Sequence, residues 1–309
     1  MLQASGPIST YDINVELGFE RTALINICDP LPRRLAGKPS GPISLFDFYG
    51  KGMHTVTFSG YSNLTVGGQT GTNIPFRDVL PYVIPEITVS QHTVNGWTAV
   101  FDFFAETVNT VDTREFMETK AINLPVTQYR VGSTVPETVS NLFAWYKVSN
   151  VGIKVQVNET TQVTIPFGDC YVNSDASTQY SITDAMVSGI PRKEYYALVG
   201  FSTTSSGAVE YRLNEPFTGL LAKFNPNTIL YPVYEGEPVT VRYNLNGGTI
   251  NGQTEITVDA KIDDTITIIS DIPIKSGYTF THWEDKLKNR YNPGDPFVIS
   301  SDKIETSTV

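Results

Sequence analysis

The stretch GYTFTHWEDKLKNRYNPGDPF at residues 277–297 has a counterpart earlier in the chain, YYALVGFSTTSSGAVEYRLNEPF at residues 195–217. Both copies contain an aromatic run, a polar turn, a Tyr and an acidic region that ends in Pro–Phe. The matched positions are Tyr196 with Tyr278, Phe201 with Trp283, Tyr211 with Tyr291, and Pro216–Phe217 with Pro296–Phe297. Similarity at a nearly fixed offset is typical of repeated structural units, so the sequence predicts two β modules in tandem.

The residues around each copy extend this prediction. The first copy is followed by TILYPVYE (228–235), an apolar and aromatic closing strand, whereas KIETSTV (303–309) takes that place in the second copy and lacks the aromatics. The second module begins with VTVRYNLNGGTING (239–252), in which alternating apolar residues precede Asn-Gly-Gly. That pattern is a strong hairpin signal, so we expect the second module to begin near Val239.

The composition favours a mainly β fold. Charged residues make up 17% and aromatic residues 11% of the 309 residues, a balance that does not suit a disordered chain. Thr, Val, Ile, Tyr and Phe recur, and Gly and Pro separate the runs, which is typical of strands joined by tight turns. The net charge of −10 argues against nucleic acid as a partner.

The chain has no stretch that predicts insertion into a membrane, which needs about eighteen uninterrupted apolar residues. The first ten residues, MLQASGPIST, have neither the basic segment nor the apolar region of a secretory signal.

The middle of the chain contains several short strand-like runs, among them HTVTFSG, PEITVS, WTAVFDFF and NLFAWYKV. Short strands separated by turn residues predict a β-sandwich or a barrel-like domain. In WTAVFDFF (97–104) both alternating faces are largely apolar, which favours a central strand. We therefore expect four segments, namely an N-terminal module (1–51), a central β domain (52–150), a divergent repeat-like β module (151–236) and a second repeat module (237–309).

The pentapeptide SGPIS occurs twice near the start, at residues 5–9 and 40–44. Ser–Gly–Pro predicts a turn. Ser9 and Ser44 each precede an Asp by three positions (Asp12 and Asp47), which is the spacing of a capping box at a helix start. A segment of about 50 residues with few large apolar groups forms only a marginal core, so the module is expected to need a partner surface, either on its own chain or on another protein.

No pattern of catalytic or metal-binding residues is present. His54, His92 and His282 are not spaced as metal ligands, and the sequence lacks the G-x-S-x-G motif of a nucleophile elbow. Cys28 and Cys170 are predicted to be buried free thiols. We therefore expect a non-enzymatic protein without a catalytic residue, a cofactor or a bound metal.

Aromatic side chains are the remaining recognition groups. Tyr61, Trp97, Tyr195 and Trp283 are candidates for stacking against sugar rings if they are exposed. For Trp283, which occupies the aromatic position of the repeat, packing inside the module is the favoured interpretation.

The second module resembles the internalin-type B-repeat, a small β-grasp-like module found in strings on bacterial surface proteins. The resemblance rests on VRYNLNGGTING (241–252), SGYTFTHWED (276–285) and YNPGDPF (291–297). It implies that the chain ends in two tandem β-grasp-like repeats, of which the first is divergent.

The first 51 residues resemble a short N-terminal module of tailed-bacteriophage virion proteins. The matching stretches are SGPISTYDINVELG (5–18) and INICDPLPRRLAGKPSGPISLFDFYGK (25–51), with departures at Cys28 and at Pro30–Pro32. The two turns would present Ile8, Ile43, Phe46, Phe48 and Tyr49 to the particle as a docking surface. In the alternative interpretation, the two turns pack on each other and complete the next domain.

These resemblances imply a structural component of a tailed-phage virion, located on the particle. Its N-terminal segment would dock to other virion proteins, and its β domains would point outward as part of a fibre or adhesin at the neck or tail. The protein is expected to form a homo-oligomer, for which a trimer is plausible, and to bind a glycan or protein on the host surface. The alternatives are a head (capsid) decoration protein and a secreted or cell-surface adhesin module.

Overall fold

A computed structural model of the chain describes residues 1–106 and 127–304. The chain folds as two compact units: the first contains Met1–Gly152, Pro166–Tyr180 and Phe217–Asn227, and the second contains Ile153–Ile165, Ser181–Pro216 and Thr228–Val309. Strands account for 44% and helices for 10% of the structure, so the predicted mainly β class is confirmed. Across the described residues the strands form several sheets, none of which closes into a barrel. The predicted boundaries at residues 51, 150 and 236 stay a prediction.

Helical segments are short and concentrate near the N-terminus. The described helices are α1 (Thr10–Glu16), α2 (Pro30–Ala36) and α3 (Leu220–Lys223), and the 3₁₀ turns are Leu45–Phe48, Val172–Ser174 and Ser301–Lys303. Pro30 begins α2, where its missing N–H needs no partner, and Gly37 ends the helix in a left-handed conformation. No helix in the described ranges is long and apolar enough to cross a membrane.

Most strands of the first unit pair around two long ones. The described strands of this unit are β1 (Met53–Val66), β2 (Gln69–Val79), β3 (Tyr82–Val83), β4 (Ile87–Val89), β5 (His92–Val94), β6 (Trp97–Glu106), β7 (Gln128–Tyr129), β8 (Thr134–Val135), β9 (Asn141–Gln156) and β10 (Gln162–Tyr171). β9 and β10 also have residues in the second unit. β1 pairs with β2 and β4 in antiparallel fashion and with β9 in parallel. β9 also pairs with β6 and β10, while the short β3 and β8 form a separate pair.

β6 is the predicted central strand, because it pairs with β9 and also with β5 and β7. A bulge between Phe101 and Phe103 shifts the register against β9. Asp102, at the bulge, accepts hydrogen bonds from Tyr171 (2.6 Å) and Arg130 (2.9 Å). Phe103 and Phe104 are both fully buried, since both faces of this strand are covered.

The second unit contains the two repeat copies apart from Phe217 of the first copy, which belongs to the first unit. The other strands in the described residues are β11 (Tyr180–Ser181), β12 (Tyr196–Ser202), β13 (Tyr211–Arg212), β14 (Pro216–Phe217), β15 (Ile229–Gly236), β16 (Pro238–Asn244), β17 (Glu255–Lys261), β18 (Thr265–Thr267), β19 (Trp283–Glu284), β20 (Arg290–Tyr291) and β21 (Pro296–Val298). The expected hairpin is present, since β16 and β17 are antiparallel. Residues 305–309, which include most of the KIETSTV stretch, lie outside the described residues.

The two copies have the same local geometry. Phe201 pairs with Tyr211, and Trp283 pairs with Tyr291, so the matched residues of the repeat occupy the same register. The similarity extends to the start of each copy: Lys193 and Lys275 lie over the rings of Tyr196 and Tyr278, at 3.5 and 4.5 Å from the ring centroids. The residue before each of these tyrosines (Tyr195 and Gly277) has a positive φ.

Candidate functional site

Both SGPIS segments fold into the same turn and helix start. Gly6 and Gly41 have φ values of +89° and +80°, a left-handed conformation that favours glycine. The backbone N–H of Ser9 donates to Asp12 (2.9 Å), and the N–H of Ser44 donates to Asp47 (2.8 Å). Ser9 and Ser44 thus begin α1 and the 3₁₀ turn Leu45–Phe48 through capping boxes, as their spacing predicted.

The five predicted docking residues differ in their exposure. Ile8 and Phe48 are buried in the core of the N-terminal module, at 7% and 0% exposure, and Ile43 and Tyr49 pack against that core. Phe46 is 78% exposed, and it is the member of the set that offers a free apolar surface. The docking prediction itself stays a prediction.

The two turns also contact each other, as the alternative interpretation expects. The Tyr49 hydroxyl donates a hydrogen bond to the carbonyl of Gly6. The core of the module continues into the first β strands, because Met53 and Val79 pack against it. The marginal core predicted from the sequence is therefore completed by the chain itself.

The surface of the N-terminal module is unusually apolar for so small a segment. A disproportionate share of the large hydrophobic side chains that are exposed in the described structure lies here, namely Met1, Tyr11, Val15, Phe19, Leu24, Leu45 and Phe46. Phe46 also contacts the ring of Tyr49, with centroids 5.9 Å apart. Concentrated exposed apolar groups mark interaction sites on soluble proteins.

Glu16 connects this module to the strands that follow it. Its carboxylate accepts hydrogen bonds from the backbone N–H of Met53 (2.7 Å), the amino group of Met1 (2.7 Å) and the guanidinium of Arg77 (3.4 Å). Burial opposes ionisation of Glu16, but these hydrogen bonds and the charges of Met1 and Arg77 outweigh it and hold the pKa of the carboxyl below its usual value. A second ion pair joins Arg34 to Asp78.

The first unit also contains a cavity of about 560 Å³. This volume lies within the range of about 300–1,000 Å³ that is usual for small-molecule sites. Residues from six separate parts of the chain line it, among them Ser59, Tyr61, Asn73, His92, Asp175 and Leu221.

The cavity combines aromatic surface with fixed polar groups. The rings of Tyr61 and His92 stack with their centroids 4.9 Å apart and an interplanar angle of 17°. Burial lowers the pKa of His92, so the imidazole is neutral near pH 7. Asp175 is held by the backbone N–H groups of Leu221 (3.1 Å) and Ala222 (3.2 Å). The Ser59 hydroxyl is buried and has no hydrogen-bond partner.

The four aromatic candidates for sugar stacking lie in different environments. Tyr61 lines the cavity. Trp97 has a structural contact instead, since its indole N–H donates to the carbonyl of Phe224 (2.6 Å). Trp283 packs edge-on against Tyr243 (5.0 Å) inside the second repeat, as its position in the repeat predicted, and Tyr195 is half-buried.

The cysteines differ from one another. Cys170 is buried, and burial raises the pKa of its thiol to about 11, so it is a poor nucleophile. The prediction that Cys28 is buried was wrong: it is free but exposed, because it lies in the loop before α2, where its carbonyl accepts from Arg33. Within the described residues no cluster of His, Cys, Asp and Glu has the geometry to hold a metal ion.

Comparison with known proteins identifies one part of the chain. Residues 240–304 match the family model of the Listeria-Bacteroides repeat domain. No curated protein and no solved structure matches the chain. The match supports a repeat-type module at the C-terminal end, which is compatible with a surface-displayed, adhesin-like protein.

The cavity was not predicted from the sequence. Its lining residues are far apart along the chain, and the sequence predicts only Tyr61 among them as an aromatic recognition residue. The exposed Phe46 was predicted, because it lies in the aromatic run that directly follows the second SGPIS turn.

Proposed function

We propose that the protein is a non-enzymatic structural component of a tailed-phage virion. Its N-terminal module docks to other virion proteins, and its β units extend outward as an adhesin or fibre at the neck or tail. The observation that carries this proposal is the apolar surface of the N-terminal module. The proposal also draws on the resemblance of residues 1–51 to virion modules and on the repeat domain at residues 240–304.

The docking surface differs from the five residues selected from the sequence. Of those five, Phe46 remains an exposed contact candidate, while Ile8 and Phe48 belong to the core of the module. Phe19 and Leu24, at 43% and 103% exposure, are additional candidates for contact. Large exposed side chains of this kind supply most of the binding energy in protein interfaces once they are desolvated.

Replacing Phe46 by serine should reduce incorporation of the protein into particles by roughly tenfold or more, because an aromatic anchor contributes on the order of 2 kcal/mol to an interface. The melting temperature should stay unchanged, since the side chain is exposed. The measurement is mass spectrometry of gradient-purified particles, with the copy number judged against the major capsid protein.

The control is Val131→Ser, which alters another exposed apolar side chain (49% exposed) outside the N-terminal module. Equal incorporation of the Phe46 variant and the control would contradict the docking role. A few to a few dozen copies of the unaltered protein support a neck or tail position, and hundreds would favour head decoration. Absence from particles would favour a secreted or cell-surface adhesin module.

The cavity supports a second candidate function, the binding of a host-surface glycan. Its stacked Tyr61 and His92 rings supply aromatic surface, while Asp175 and Asn73 supply polar groups. A few placed polar groups in a mostly apolar wall are typical of small-molecule sites. Because burial lowers the pKa of His92, its ring adds no charge to the cavity wall near pH 7.

Tyr61→Ala should abolish binding of the full chain to any glycan that it recognises on a glycan array. The loss of the aromatic wall removes both contact area and the packing partner of His92. Tyr11→Ala, which truncates a 51% exposed tyrosine in the N-terminal module, serves as the control and should bind as the unaltered chain does. Circular dichroism establishes that both variants are folded. Glycan binding that survives in Tyr61→Ala would place the glycan site elsewhere.

A further inference from the structure

The floor of the cavity in the first unit is one face of the sheet around β1. Ser59 on β1 lies opposite Asn73 on β2 and opposite Phe143 on β9, and all three residues line the cavity. Residues that lie directly opposite on neighbouring strands share a face of the sheet. Because β1 lies between β9 and β2, Ser59 is at the middle of this floor.

Helix α3 forms another wall of the cavity and is held from two sides. Leu221 and Ala222 of α3 line the cavity. Their backbone N–H groups donate to Asp175, and their carbonyl oxygens accept hydrogen bonds from the side-chain amide of Asn95, at 3.1 and 2.9 Å. Because these contacts fix the helix, the cavity is preformed, and the groups that line it decide which ligand fits.

The hydroxyl of Ser59 is a polar group of this floor that lacks a partner. The residue is 1% exposed, and its Oγ has no hydrogen-bond partner in the described part of the chain. A buried polar atom without a partner is unfavourable, and most such atoms in folded proteins are paired. A ligand hydroxyl in the cavity would pair with Ser59, since each hydroxyl both donates and accepts.

The lining offers no basic partner to an acidic ligand. Among the described residues that line the cavity, none is Lys or Arg. Burial lowers the pKa of His92, so its ring adds no positive charge near pH 7. Asp175, at 6% exposure, adds a carboxyl group to the wall. A carboxylate brought in by a ligand would therefore be desolvated without a counter-charge, which is strongly unfavourable.

We propose that the cavity takes a neutral sugar unit and excludes the acidic sugars, namely the uronic and sialic acids. Ser59 pairs with a hydroxyl of the sugar, and Tyr61 and His92 supply aromatic contact. The inference rests on the glycan-binding function proposed for the cavity and names the class of sugar that the cavity selects.

The probes are matched pairs of methyl glycosides added to the full chain: glucoside with glucuronide, galactoside with galacturonide, and mannoside with mannuronide. The members of a pair differ only in a CH₂OH group that a carboxylate replaces. At least one neutral member should bind, with new hydrogen-exchange protection at residues 59–61 and 221–222. Its acidic counterpart should bind roughly tenfold more weakly or worse, because its carboxylate would be buried without a counter-charge.

Ser59→Ala should weaken binding of the same neutral sugar by roughly two- to tenfold, the usual range for the loss of one hydrogen bond. The melting temperature should not fall, because alanine removes an unpaired buried hydroxyl. Ser140→Ala, which removes an exposed hydroxyl outside the described lining of the cavity, is the control and should bind as the unaltered chain does. Equal affinity of the two variants for the sugar would show that Ser59 does not contact it.

The results separate the neutral class from glycan binding as such. An acidic member that binds as tightly as its neutral counterpart, or array binding confined to acidic glycans, would overturn the neutral class and leave glycan binding standing. Should no monosaccharide bind, neutral glycans bound on the array in a Tyr61-dependent way would support the class. Absence of binding in both experiments would contradict the class and the glycan-binding function together.

Discussion

Trp145→Ala should lower the free energy of unfolding of the first unit by about 3–5 kcal/mol, as is usual for the loss of a large aromatic side chain from a core. Trp145 is fully buried in β9 and stacks on Phe103, with centroids 5.4 Å apart and an interplanar angle of 15°. It also meets the ring of Tyr171 edge-on at 5.8 Å. The cavity left by alanine would remove contacts with both rings at the centre of the sheet.

Trp145→Phe is the matched control. The indole Nε1 of Trp145 is buried without a hydrogen-bond partner, so phenylalanine removes an unpaired N–H while it keeps most of the aromatic contact. We expect a loss below roughly 1.5 kcal/mol for this variant. Calorimetry measures the unfolding transitions of each variant. Hydrogen exchange of the backbone amides in β6 shows which of these transitions is the unfolding of the first unit. Equal losses for the two variants would show that the stacking on Phe103 contributes little.

The repeat allowed part of the fold to be predicted in detail. Matching Phe201 with Trp283 and Tyr211 with Tyr291 predicted corresponding positions, and the two pairs indeed share a register. Such pairs are separated by short turns, so their geometry depends on residues that are adjacent in the sequence. The capping boxes at Ser9 and Ser44 were predictable for the same reason.

Contacts between distant segments were not predictable. β1 lies parallel to β9, with Phe58 opposite Leu142, although the two residues are separated by most of the first unit. Nothing in either strand's alternation specifies its neighbour. The candidate glycan site was not predictable for the same reason, because Ser59, His92 and Asp175 line one cavity only after distant strands have paired.

The docking residues illustrate a different limit. Phe46 and Phe48 are two positions apart in a short aromatic run, yet one is 78% exposed and the other fully buried. The sequence indicated that the run carries apolar surface. It could not indicate how much of that surface the module would use for its own core, since that depends on packing against Met53 and Val79.

Glu16→Gln should destabilise the first unit by roughly 2–3 kcal/mol at pH 7, since charged hydrogen bonds with little exposure to water are the strong ones. The Glu16 side chain is 10% exposed and accepts from Met53, Met1 and Arg77. Glutamine keeps one acceptor oxygen, but it places an amide donor against these donors and leaves Arg77 without its counter-charge. Chemical denaturation followed by circular dichroism measures the change.

The same contacts predict how the effect depends on pH. Because the folded-state pKa of Glu16 lies below its unfolded value of about 4.3, its stabilisation is fully present above that value and is lost as the pH falls through the folded-state pKa. The difference between the unaltered chain and Glu16→Gln should therefore be constant near neutral pH and shrink in acid. Glu20→Gln, at an exposed acid four residues further along, should show no such difference at any pH. A Glu16 difference that persists unchanged in acid would mean that the shape of the side chain, and not its charge, joins the N-terminal module to β1.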